Sequence, residues 1–391
     1  MRKHPNRREA IQKGIKVGMV LPFIGSALGS CNQKTQTDSS KLSEANRKMK
    51  ILILGGTSFL GPHQVAYALS RGHSVSTFTR GKTKPTIYSE LFDQVEQLIG
   101  DRENDLKSLE KGNWDLVIDN SGRNVEWTKK SAQLLKDKAE LYLYTSSTGV
   151  YFPYLNGDIG EDTDLVLKTP DTLEDEILKM EYDYGVMKSN SELETIKAFG
   201  KDRSIIVRPT YMLGPADKTD RFIHWPVRLA KGGEILVPGK ASDPVQYIDV
   251  RDVAEWMIRL GEEKMTGTYN AVGPKTAETV SEFVEKAKSA FDVESTFVQV
   301  DDYDFLKENE VYYIVPWIMP DKYNYGSARV DNKKALNSGL TIRDLKESII
   351  DISEWWNAQD QERRDKFEQN PKSVLQREAE ILKKWNERGN G

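Results

Sequence analysis

A strand that leads directly into a glycine-rich turn and a helix is the feature that most constrains the fold of this chain. The run Lys50–Leu54 is unbroken and apolar, as expected of a central parallel strand that is covered on both faces. The turn GGTSFLG (55–61) follows, and then the helical stretch HQVAYALSRG. Gly55 allows a tight turn, Gly61 allows close helix–strand packing, and a helix N-terminus suits a pyrophosphate. The segment therefore predicts a dinucleotide-binding turn.

The turn departs from the usual glycine pattern at its middle position. The spacing is G-x-x-G-x-x-G, and Ser58 places a Cβ where the backbone normally approaches the diphosphate. The candidate nucleotide contacts in the turn are Gly55, Thr57, Ser58, Phe59, Leu60 and Gly61.

Strand-like and helical stretches continue to alternate after the turn. The predicted strands are 73–80, 95–100, 114–120, 140–147 and 204–209. Repeated strand–helix units at this spacing predict an α/β fold with a doubly wound parallel sheet of the Rossmann type.

The end of the second predicted strand bears on the choice between NAD and NADP. An acidic residue there binds the ribose 2′-hydroxyl, whereas a nearby Arg accommodates a 2′-phosphate. This chain has Thr79 at the acidic position, followed by Arg80 and Lys82. The local charge therefore favours NADP, although Arg80 stacked on the adenine would suit either cofactor.

Tyr184 and Lys188 form a Y-x-x-x-K pair on a predicted helix, which places them one turn apart on one face. A neighbouring ammonium stabilises the ionised form of a phenol, which then accepts a proton from an alcohol. Ser147 lies at the end of the fifth predicted strand, the sheet edge at which open α/β sheets bind ligands. The pattern predicts an alcohol-oxidising site in which Ser147 binds the reacting oxygen.

Composition excludes several other classes of protein. The 391 residues include 56 Lys and Arg against 60 Asp and Glu, and the mean hydropathy is −0.60. This balance argues against a nucleic-acid-binding surface and against a polytopic membrane protein. The single cysteine excludes an internal disulfide, and the four histidines lack metal-ligand spacing.

The first 31 residues resemble a twin-arginine export signal that ends in a lipoprotein cleavage box. Arg7 and Arg8 precede an apolar stretch, and Leu28-Gly29-Ser30 leads to Cys31, the cysteine that would carry the lipid. Residues 32–48 are polar and are expected to form a flexible tether. The prediction is an extracytoplasmic, periplasmic enzyme that contacts a membrane only through this lipid; an amphipathic helix or a short anchor is the alternative.

Together these motifs resemble the extended short-chain dehydrogenase/reductase superfamily, that is, the NAD-dependent epimerase/dehydratase family. The resemblance covers residues 50–356 and includes Gly100-Asp101, Asn120-Ser121-Gly122 and Tyr247-Ile248-Asp249. The sequences GGTSFLG, WPVR (225–228) and SARVDN (327–332) are similar to a branch that includes chloroplast stem-loop-binding proteins.

The resemblance implies roles for individual residues. Ser147, Tyr184 and Lys188 would be the catalytic residues, and Lys188 would also hold the nicotinamide ribose. Asp101 would reach the adenine, and Asn120 would lie at the cofactor. Members of the family often form homodimers through the helix that carries the Tyr-Lys pair, so a homodimer is one expectation.

The resemblance also implies a division of the chain into domains. The nucleotide-binding domain would comprise residues 49–209 and 246–271, and the substrate domain would comprise 210–245 and 272–348. Residues 349–391 would form a helical C-terminal tail.

The substrate side departs from that of nucleotide-sugar epimerases, which use an Arg before the return strand to bind the substrate diphosphate. The stretch Asp243-Pro244-Val245-Gln246 has no cation, so UDP-sugars are disfavoured. The candidate substrate residues are His224, Trp225 and Gln246, with Trp317, Tyr323 and Tyr325 as further aromatic side chains. Aromatic faces suit sugar rings, and core packing is the alternative for each of them. The acidic stretch 158–183 is either a lid or a solvated loop.

An exported enzyme has no maintained pool of reduced nicotinamide. We therefore expect an NAD(P)-dependent oxidoreductase or epimerase that holds its cofactor tightly, recycles it, and acts on a secondary alcohol of a sugar-like small molecule. An NADPH-dependent reductase of a small carbonyl compound is the alternative. An RNA-binding or non-catalytic role is disfavoured by the net charge of −4, so no nucleic-acid partner is expected.

Overall fold

The computed structural model describes residues 47–120, 122–155 and 157–388. The predicted export signal (1–31) lies outside the described residues, as does the predicted tether up to residue 46. Among the described residues, no helix is both long enough and apolar enough to cross a membrane.

Strands and helices alternate along the first half of the described chain. The elements are β1 (Lys50–Leu54), α1 (Leu60–Ser70), β2 (Ser74–Thr79), β3 (Glu96–Ile99), β4 (Trp114–Asp119), α2 (Val125–Leu135), β5 (Ala139–Thr145), α3 (Glu176–Phe199), β6 (Ser204–Pro209) and β7 (Met212–Leu213). Short 3₁₀ turns connect some of them, including Thr148–Tyr151 after β5.

Shorter strands and more helices make up the second half. The elements are α4 (His224–Lys231), β8 (Gly233–Pro238), β9 (Pro244–Asp249), α5 (Val250–Glu262), β10 (Gly267–Ala271), β11 (Gly273–Thr279), α6 (Val280–Lys288), β12 (Ser295–Val300), α7 (Tyr303–Glu308), β13 (Tyr313–Ile314), β14 (Trp317–Ile318), α8 (Lys333–Asn337), α9 (Leu345–Asn357), α10 (Gln361–Glu368) and α11 (Val374–Arg388).

Seven of the strands form one parallel sheet in the order β10-β6-β5-β4-β1-β2-β3. The order 3-2-1-4-5-6 of its first six strands is that of a dinucleotide-binding doubly wound fold. The predicted fold class is therefore confirmed, and each of the six predicted strands is present to within two residues at either end.

The sheet is buried on both faces because alternate side chains of each strand enter different apolar clusters. Ile51 and Ile53 of β1 pack with α1 and α5. Leu52 and Leu54 pack with α2 and with the end of α3. This arrangement explains why the β1 sequence is apolar without alternation.

A separate apolar cluster lies among the smaller elements. It contains the fully buried Trp225, Trp317 and Trp356 and receives Ile381 and Leu382 from α11. The return strand β9 pairs with β7 and β11 in a three-stranded sheet rather than with the seven-stranded one. The predicted domain boundaries stay a prediction.

Candidate active site

The glycine turn between β1 and α1 leaves no room for a side chain where helix and strand meet. Gly55 has a φ of 88°, a conformation that favours glycine. A Cβ built on Gly61 would lie 2.4 Å from the carbonyl oxygen of Gly56. The turn therefore brings the start of α1 into close contact with the end of β1.

The N-terminus of α1 is open to an anion. Among the described residues, no side chain caps it, and its first turn contains no acidic residue. Phe59 precedes the helix with a φ of 43°, and Ser58 before it is exposed. The positive end of a helix dipole at such a terminus suits a phosphate group.

The end of β2 presents a cation. Thr79 is half-buried, and its hydroxyl oxygen accepts a hydrogen bond of 3.1 Å from the Gly81 amide. Arg80 is exposed and has no hydrogen-bond or ion-pair partner among the described residues. Its guanidinium is therefore free to meet a ligand at this edge.

Asp101 and Asn120 use their side chains in bonds within the protein. A carboxylate oxygen of Asp101 accepts a hydrogen bond from the Glu103 amide at 2.9 Å. The Asn120 side chain donates to Gln64 at 2.6 Å and accepts from the Thr145 hydroxyl at 2.8 Å. Asn120 thus connects α1 to the end of β5, while contacts of either residue with a cofactor stay predictions.

The structure brings Ser147 and Tyr184 together around Gly149. The Ser147 hydroxyl oxygen accepts a hydrogen bond of 3.0 Å from the Gly149 amide. A Cβ built on Gly149 would lie 3.0 Å from Cε1 of Tyr184 and 3.3 Å from Oγ of Ser147. Tyr184 is 43% exposed, and its hydroxyl has no hydrogen-bond partner among the described residues. Both side chains therefore face one small space at the carboxyl end of β5.

Lys188 lies beneath this space and is only 8% exposed. Its ammonium donates a hydrogen bond of 2.9 Å to the Thr145 carbonyl and lies 5.1 Å from the centre of the Tyr144 ring. Burial acts to lower the pKa of Lys188, but Tyr144, Tyr184 and Asp119 together outweigh it and hold the pKa above its ordinary value. Lys188 therefore carries a fixed positive charge beside Tyr184.

Sequence reasoning misses a buried ion pair that holds this arrangement. Arg208, at the end of β6, forms two hydrogen bonds of 2.6 and 2.9 Å with the Glu192 carboxylate on α3. The Ser146 hydroxyl donates to the same carboxylate, and Arg208 donates to the Tyr151 hydroxyl at 2.6 Å. Glu192 follows Lys188 by one helical turn, but no local pattern in the sequence links it to Arg208 on β6.

The structure places His224 and Trp225 in packed surroundings. Trp225 is fully buried, and its indole N–H donates to the Val315 carbonyl at 2.9 Å. The His224 ring lies edge-on to Trp225 with ring centres 5.1 Å apart. Burial, with Arg228 nearby, lowers the pKa of His224 to about 3. These contacts agree with core packing, which is the alternative role for both residues. Contact of His224 or Trp225 with a substrate stays a prediction.

Gln246 binds the segment that follows β14. Its side-chain amide donates to the Val330 carbonyl at 2.9 Å, and its oxygen accepts from the Val330 amide at 3.1 Å. Trp317 is fully buried and donates to Asp243 at 2.8 Å, whereas Tyr325 is 50% exposed. Of the predicted aromatic residues, those on the segment after β14 are thus the accessible ones.

Comparison with known proteins decides the family. The model of the NAD dependent epimerase/dehydratase family matches residues 51–272, which is more than half of the chain. The chain belongs to this family. The predicted family and the predicted enzyme class are therefore confirmed.

A curated relative matches much of the chain. The chloroplast stem-loop binding protein of 41 kDa b from Arabidopsis thaliana is 29% identical over 283 residues, which are 68% of this chain and 70% of that protein. The predicted similarity to such chloroplast proteins is confirmed.

Solved structures of other enzymes share the fold. A UDP-N-acetylglucosamine 4-epimerase from Methanobrevibacter ruminantium M1 has a TM-score of 0.58 at 15% identity, over 80% of this chain and 100% of that one. WbmH from Bordetella bronchiseptica, solved in complex with NAD+, has a TM-score of 0.55 at 15% identity, over 80% and 99%. At these identities the likeness concerns the fold alone.

The described residues of this epimerase/dehydratase chain fit a nicotinamide dinucleotide. The glycine turn forms a cradle that the Cβ of a larger residue at Gly61 would fill, and the uncapped start of α1 suits a diphosphate. Arg80 is exposed at the end of β2, where an adenine ribose would lie, and Lys188 is charged near Tyr184. The side chain of Ser58, in the middle of the turn, is exposed and is not packed between the glycine turn and the helix.

Proposed function

We propose that the chain is an NAD(P)-dependent oxidoreductase or epimerase that acts on a secondary alcohol of a sugar or sugar-like small molecule. The observation that carries this proposal is the placement of Ser147 and Tyr184 around Gly149, with the charged Lys188 beneath them. This placement lies at the carboxyl ends of the parallel strands, where open α/β sheets bind their ligands. Membership of the epimerase/dehydratase family supports the same reading of the site.

Each of the three side chains has a role that follows from its contacts. Tyr184 is accessible and its hydroxyl is unused, so its ionised form, the phenolate, accepts the proton of the substrate alcohol and later returns it. Lys188 holds positive charge next to that hydroxyl and fixes the end of β5 through Thr145. The Ser147 hydroxyl donates a hydrogen bond to the reacting oxygen while its own oxygen continues to accept the hydrogen bond from the Gly149 amide. A bound nicotinamide would supply hydride acceptance and return.

We propose NADP as the slightly favoured cofactor, with NAD as the alternative. Thr79 supplies no carboxylate for a ribose 2′-hydroxyl, and the free guanidinium of Arg80 suits a 2′-phosphate. The family is NAD-dependent by description, which supports a nicotinamide dinucleotide of either kind.

We further propose that the enzyme works outside the cytoplasm, with a lipid on Cys31, and recycles a tightly held cofactor. The support is the twin-arginine and lipoprotein pattern of residues 1–31. A net dehydrogenase would stall there after one turnover, because no pool of free nicotinamide restores it. A redox-neutral reaction, such as an epimerisation or an elimination, returns its hydride and continues.

The proposal of a tightly held, recycled cofactor is tested by mass spectrometry of the nucleotide that purified residues 32–391 release on denaturation. We expect close to one NAD or NADP per chain, and its identity decides the cofactor question. A chain that releases no nucleotide contradicts tight retention and favours the alternative, an NADPH-dependent reductase of a small carbonyl compound. Titration of such an empty chain with NADPH, followed by fluorescence, then separates a reductase from a scaffold without cofactor binding.

A second candidate function is RNA binding, because a 29% identical relative is named as a stem-loop binding protein. The net charge of −4 opposes it. Filter binding of a stem-loop RNA across a salt series tests it, since electrostatic binding to phosphates weakens steeply with salt. We expect no retention even at low salt.

A further inference from the structure

The two edges of the seven-stranded sheet differ in charge. Its strands are parallel, so all of them begin at one edge and end at the other, where Ser147 and Tyr184 lie. We call the three residues that precede each strand, taken together, the amino edge. They are residues 47–49, 71–73, 93–95, 111–113, 136–138, 201–203 and 264–266.

The amino edge is basic, although the chain as a whole has a net charge of −4. Its acidic residues are Asp93, Asp137 and Asp202. Its basic residues are Arg47, Lys48, Arg71, Lys111, Lys136, Lys138, Lys201, Arg203 and Lys264. The charged residues among the three that follow each strand are Arg80, Lys82, Asp101 and Arg102. Positive charge is therefore concentrated where the strands begin.

Some cations of the amino edge are paired within the protein, and others are not. Arg71 pairs with Glu262 at 2.7 Å, and both Arg47 and Lys264 pair with Glu140. Among the described residues, four lysine side chains have no hydrogen-bond or ion-pair partner, and we call them the lysine group. It consists of Lys111, Lys136, Lys138 and Lys201.

The lysine group is compact because its members precede three neighbouring strands, β4, β5 and β6. The Trp114 amide at the start of β4 donates to the Lys138 carbonyl at 2.8 Å. The Arg203 guanidinium, before β6, donates to the Lys136 carbonyl at 2.9 Å. Neighbouring strands lie about 4.8 Å apart, so these side chains share one small area of surface.

The charges around the lysine group leave it positive. The side-chain partners of Arg203 are the carbonyl oxygens of Phe199, Lys136 and Ala139, which do not neutralise its charge. Asp137 and Asp202 are the acidic residues in the same two segments, and both are exposed. The four lysines and Arg203 thus exceed the acidic residues beside them.

The segment that leads back to Cys31 joins the described structure beside this group. Arg47, the first described residue, pairs with Asp115 on β4 at 2.5 Å and with Glu140 on β5 at 2.9 Å. Residues 32–46 can span at most about 50 Å, so an anchor at Cys31 would by itself permit many orientations. A basic surface at the point of attachment selects one of them, because it is attracted to anionic lipid headgroups.

We infer that the amino edge binds the surface of an anionic phospholipid membrane, with the lysine group against the headgroup phosphates. The active site then opens away from the membrane, because Ser147 and Tyr184 lie where the strands end. The inference goes beyond the proposed function and does not depend on the reaction or the cofactor. Its tests involve no turnover, so its failure leaves the proposed chemistry standing.

Co-flotation of purified residues 32–391 with lipid vesicles tests this inference. The probes are vesicles of phosphatidylcholine alone and vesicles of phosphatidylcholine mixed with phosphatidylglycerol. At low salt we expect the mixed vesicles to bind about tenfold more tightly or better, and high salt should remove the difference by screening. Equal binding of the two kinds of vesicle, or binding of neither, would overturn the inference. Tighter binding of a stem-loop RNA than of the mixed vesicles would overturn it as well, by assigning the surface to a nucleic acid.

Charge reversal on the lysine group locates the contact. Combined Lys111→Glu, Lys138→Glu and Lys201→Glu should weaken binding to the mixed vesicles by about tenfold or more, because each lysine at an anionic surface contributes about fivefold. The matched control makes the same change in net charge on exposed lysines outside the seven-stranded sheet, with Lys275→Glu, Lys346→Glu and Lys372→Glu. It should weaken binding by less than about threefold. Equal weakening in the two triple variants would refute the role of the amino edge.

A measurement on the unchanged sequence tests the orientation without relying on these variants. Cys31 is the only cysteine, so residues 31–391 can be coupled through its thiol to a maleimide lipid in either kind of vesicle. An amine-reactive reagent followed by mass spectrometry then reports the accessibility of each lysine. On the mixed vesicles Lys138 and Lys201 should react about threefold more slowly or less than on the neutral ones, whereas Lys275 should react equally on both. Equal reaction of Lys138 and Lys201 on the two would contradict the inference.

Discussion

The long helix α3 has two halves that differ in burial, and the catalytic pair lies across their boundary. Before Gly185 the side chains are open, with Ile177, Met180 and Tyr184 exposed by 69%, 63% and 43%. After Gly185 the inward side chains are covered, and Lys188 is exposed by only 8%. The group that meets the substrate is thus left accessible, whereas the charge that assists it is fixed by burial.

Gly185 marks the boundary because α3 crosses the loop after β5 there at close range. A Cβ built on Gly185 would lie 2.4 Å from the Gly149 carbonyl oxygen and 2.8 Å from a methyl group of Val166. The distance between Tyr184 and the Ser147 loop is therefore set by the absence of a side chain at this position.

Tyr184→Phe should give the largest effect, and it acts on the open half alone. We expect turnover to fall by about 10³-fold, because the variant cannot accept a proton. The unfolding free energy should change by less than about 0.5 kcal/mol, since the hydroxyl has no partner among the described residues. Product formation from the substrate that the parent converts, followed by NMR or chromatography, measures the first quantity, and chemical denaturation measures the second.

Tyr312→Phe is the control for this variant, because it removes an exposed tyrosine hydroxyl outside the Ser147–Tyr184–Lys188 set. It should keep the parent rate. Parent-like turnover in Tyr184→Phe would rule out the proposed proton transfer.

Glu192→Gln should give the next largest effect, and it acts on the covered half. The variant leaves Arg208 buried without a counter-charge, which costs about 3 kcal/mol of unfolding free energy. Asp183→Asn is the control on the same helix, because the Lys179–Asp183 pair is nearly half exposed on both sides. It should leave the urea midpoint almost unchanged. Equal shifts of the midpoint in the two variants would contradict the contrast between the halves.

Gly185→Ala should disturb the boundary itself. The added methyl group must move α3 away from the Gly149 loop, so we expect a loss of about 2 kcal/mol in stability and a fall of about tenfold in turnover. Gly160→Ala is the control, since a Cβ there would meet nothing within 4 Å. Its unfolding free energy should stay within about 0.5 kcal/mol of the parent. Parent-like turnover in Gly185→Ala would mean that the spacing is not critical.

Leu193→Glu should have the smallest effect on stability, within about 0.5 kcal/mol, because Leu193 is 44% exposed although it lies in the covered half. We propose that the surface of α3 that carries Leu193 joins two copies of the chain. Light scattering should then show the mass fall from two chains to one. An unchanged mass would dismiss α3 as a dimer contact.

Local patterns in the sequence predict most of the fold and part of the site. The glycine turn and the six strands can be predicted from the sequence because each is encoded by consecutive residues. Glycine permits the backbone conformation of the turn, and an apolar run marks a buried strand. The Tyr184–Lys188 pair can be predicted for the same reason, since a separation of one helical turn places both side chains on one face of the helix.

The features that the sequence does not predict depend on contacts between segments that are distant along the chain. Trp225 and Tyr323 both look like candidates to bind a sugar, but only tertiary packing buries the first and leaves the second accessible. The pairing of Glu192 with Arg208 likewise joins α3 to a different strand of the sheet. Side-chain type alone carries no information about such pairings.

The segment between Met319 and Asn332 is held at both ends by side-chain hydrogen bonds and near its middle by the bond from the Gly326 amide to the Tyr154 carbonyl. Asn324 donates to the Met319 carbonyl and Asn332 to the Val272 carbonyl, while Gln246 binds Val330 from β9. The tyrosines between these anchors form no part of the sheet or of the catalytic set. We therefore expect that an exchange of residues 321–329 for those of another family member changes the substrate that is accepted and leaves the Ser147–Tyr184–Lys188 arrangement intact.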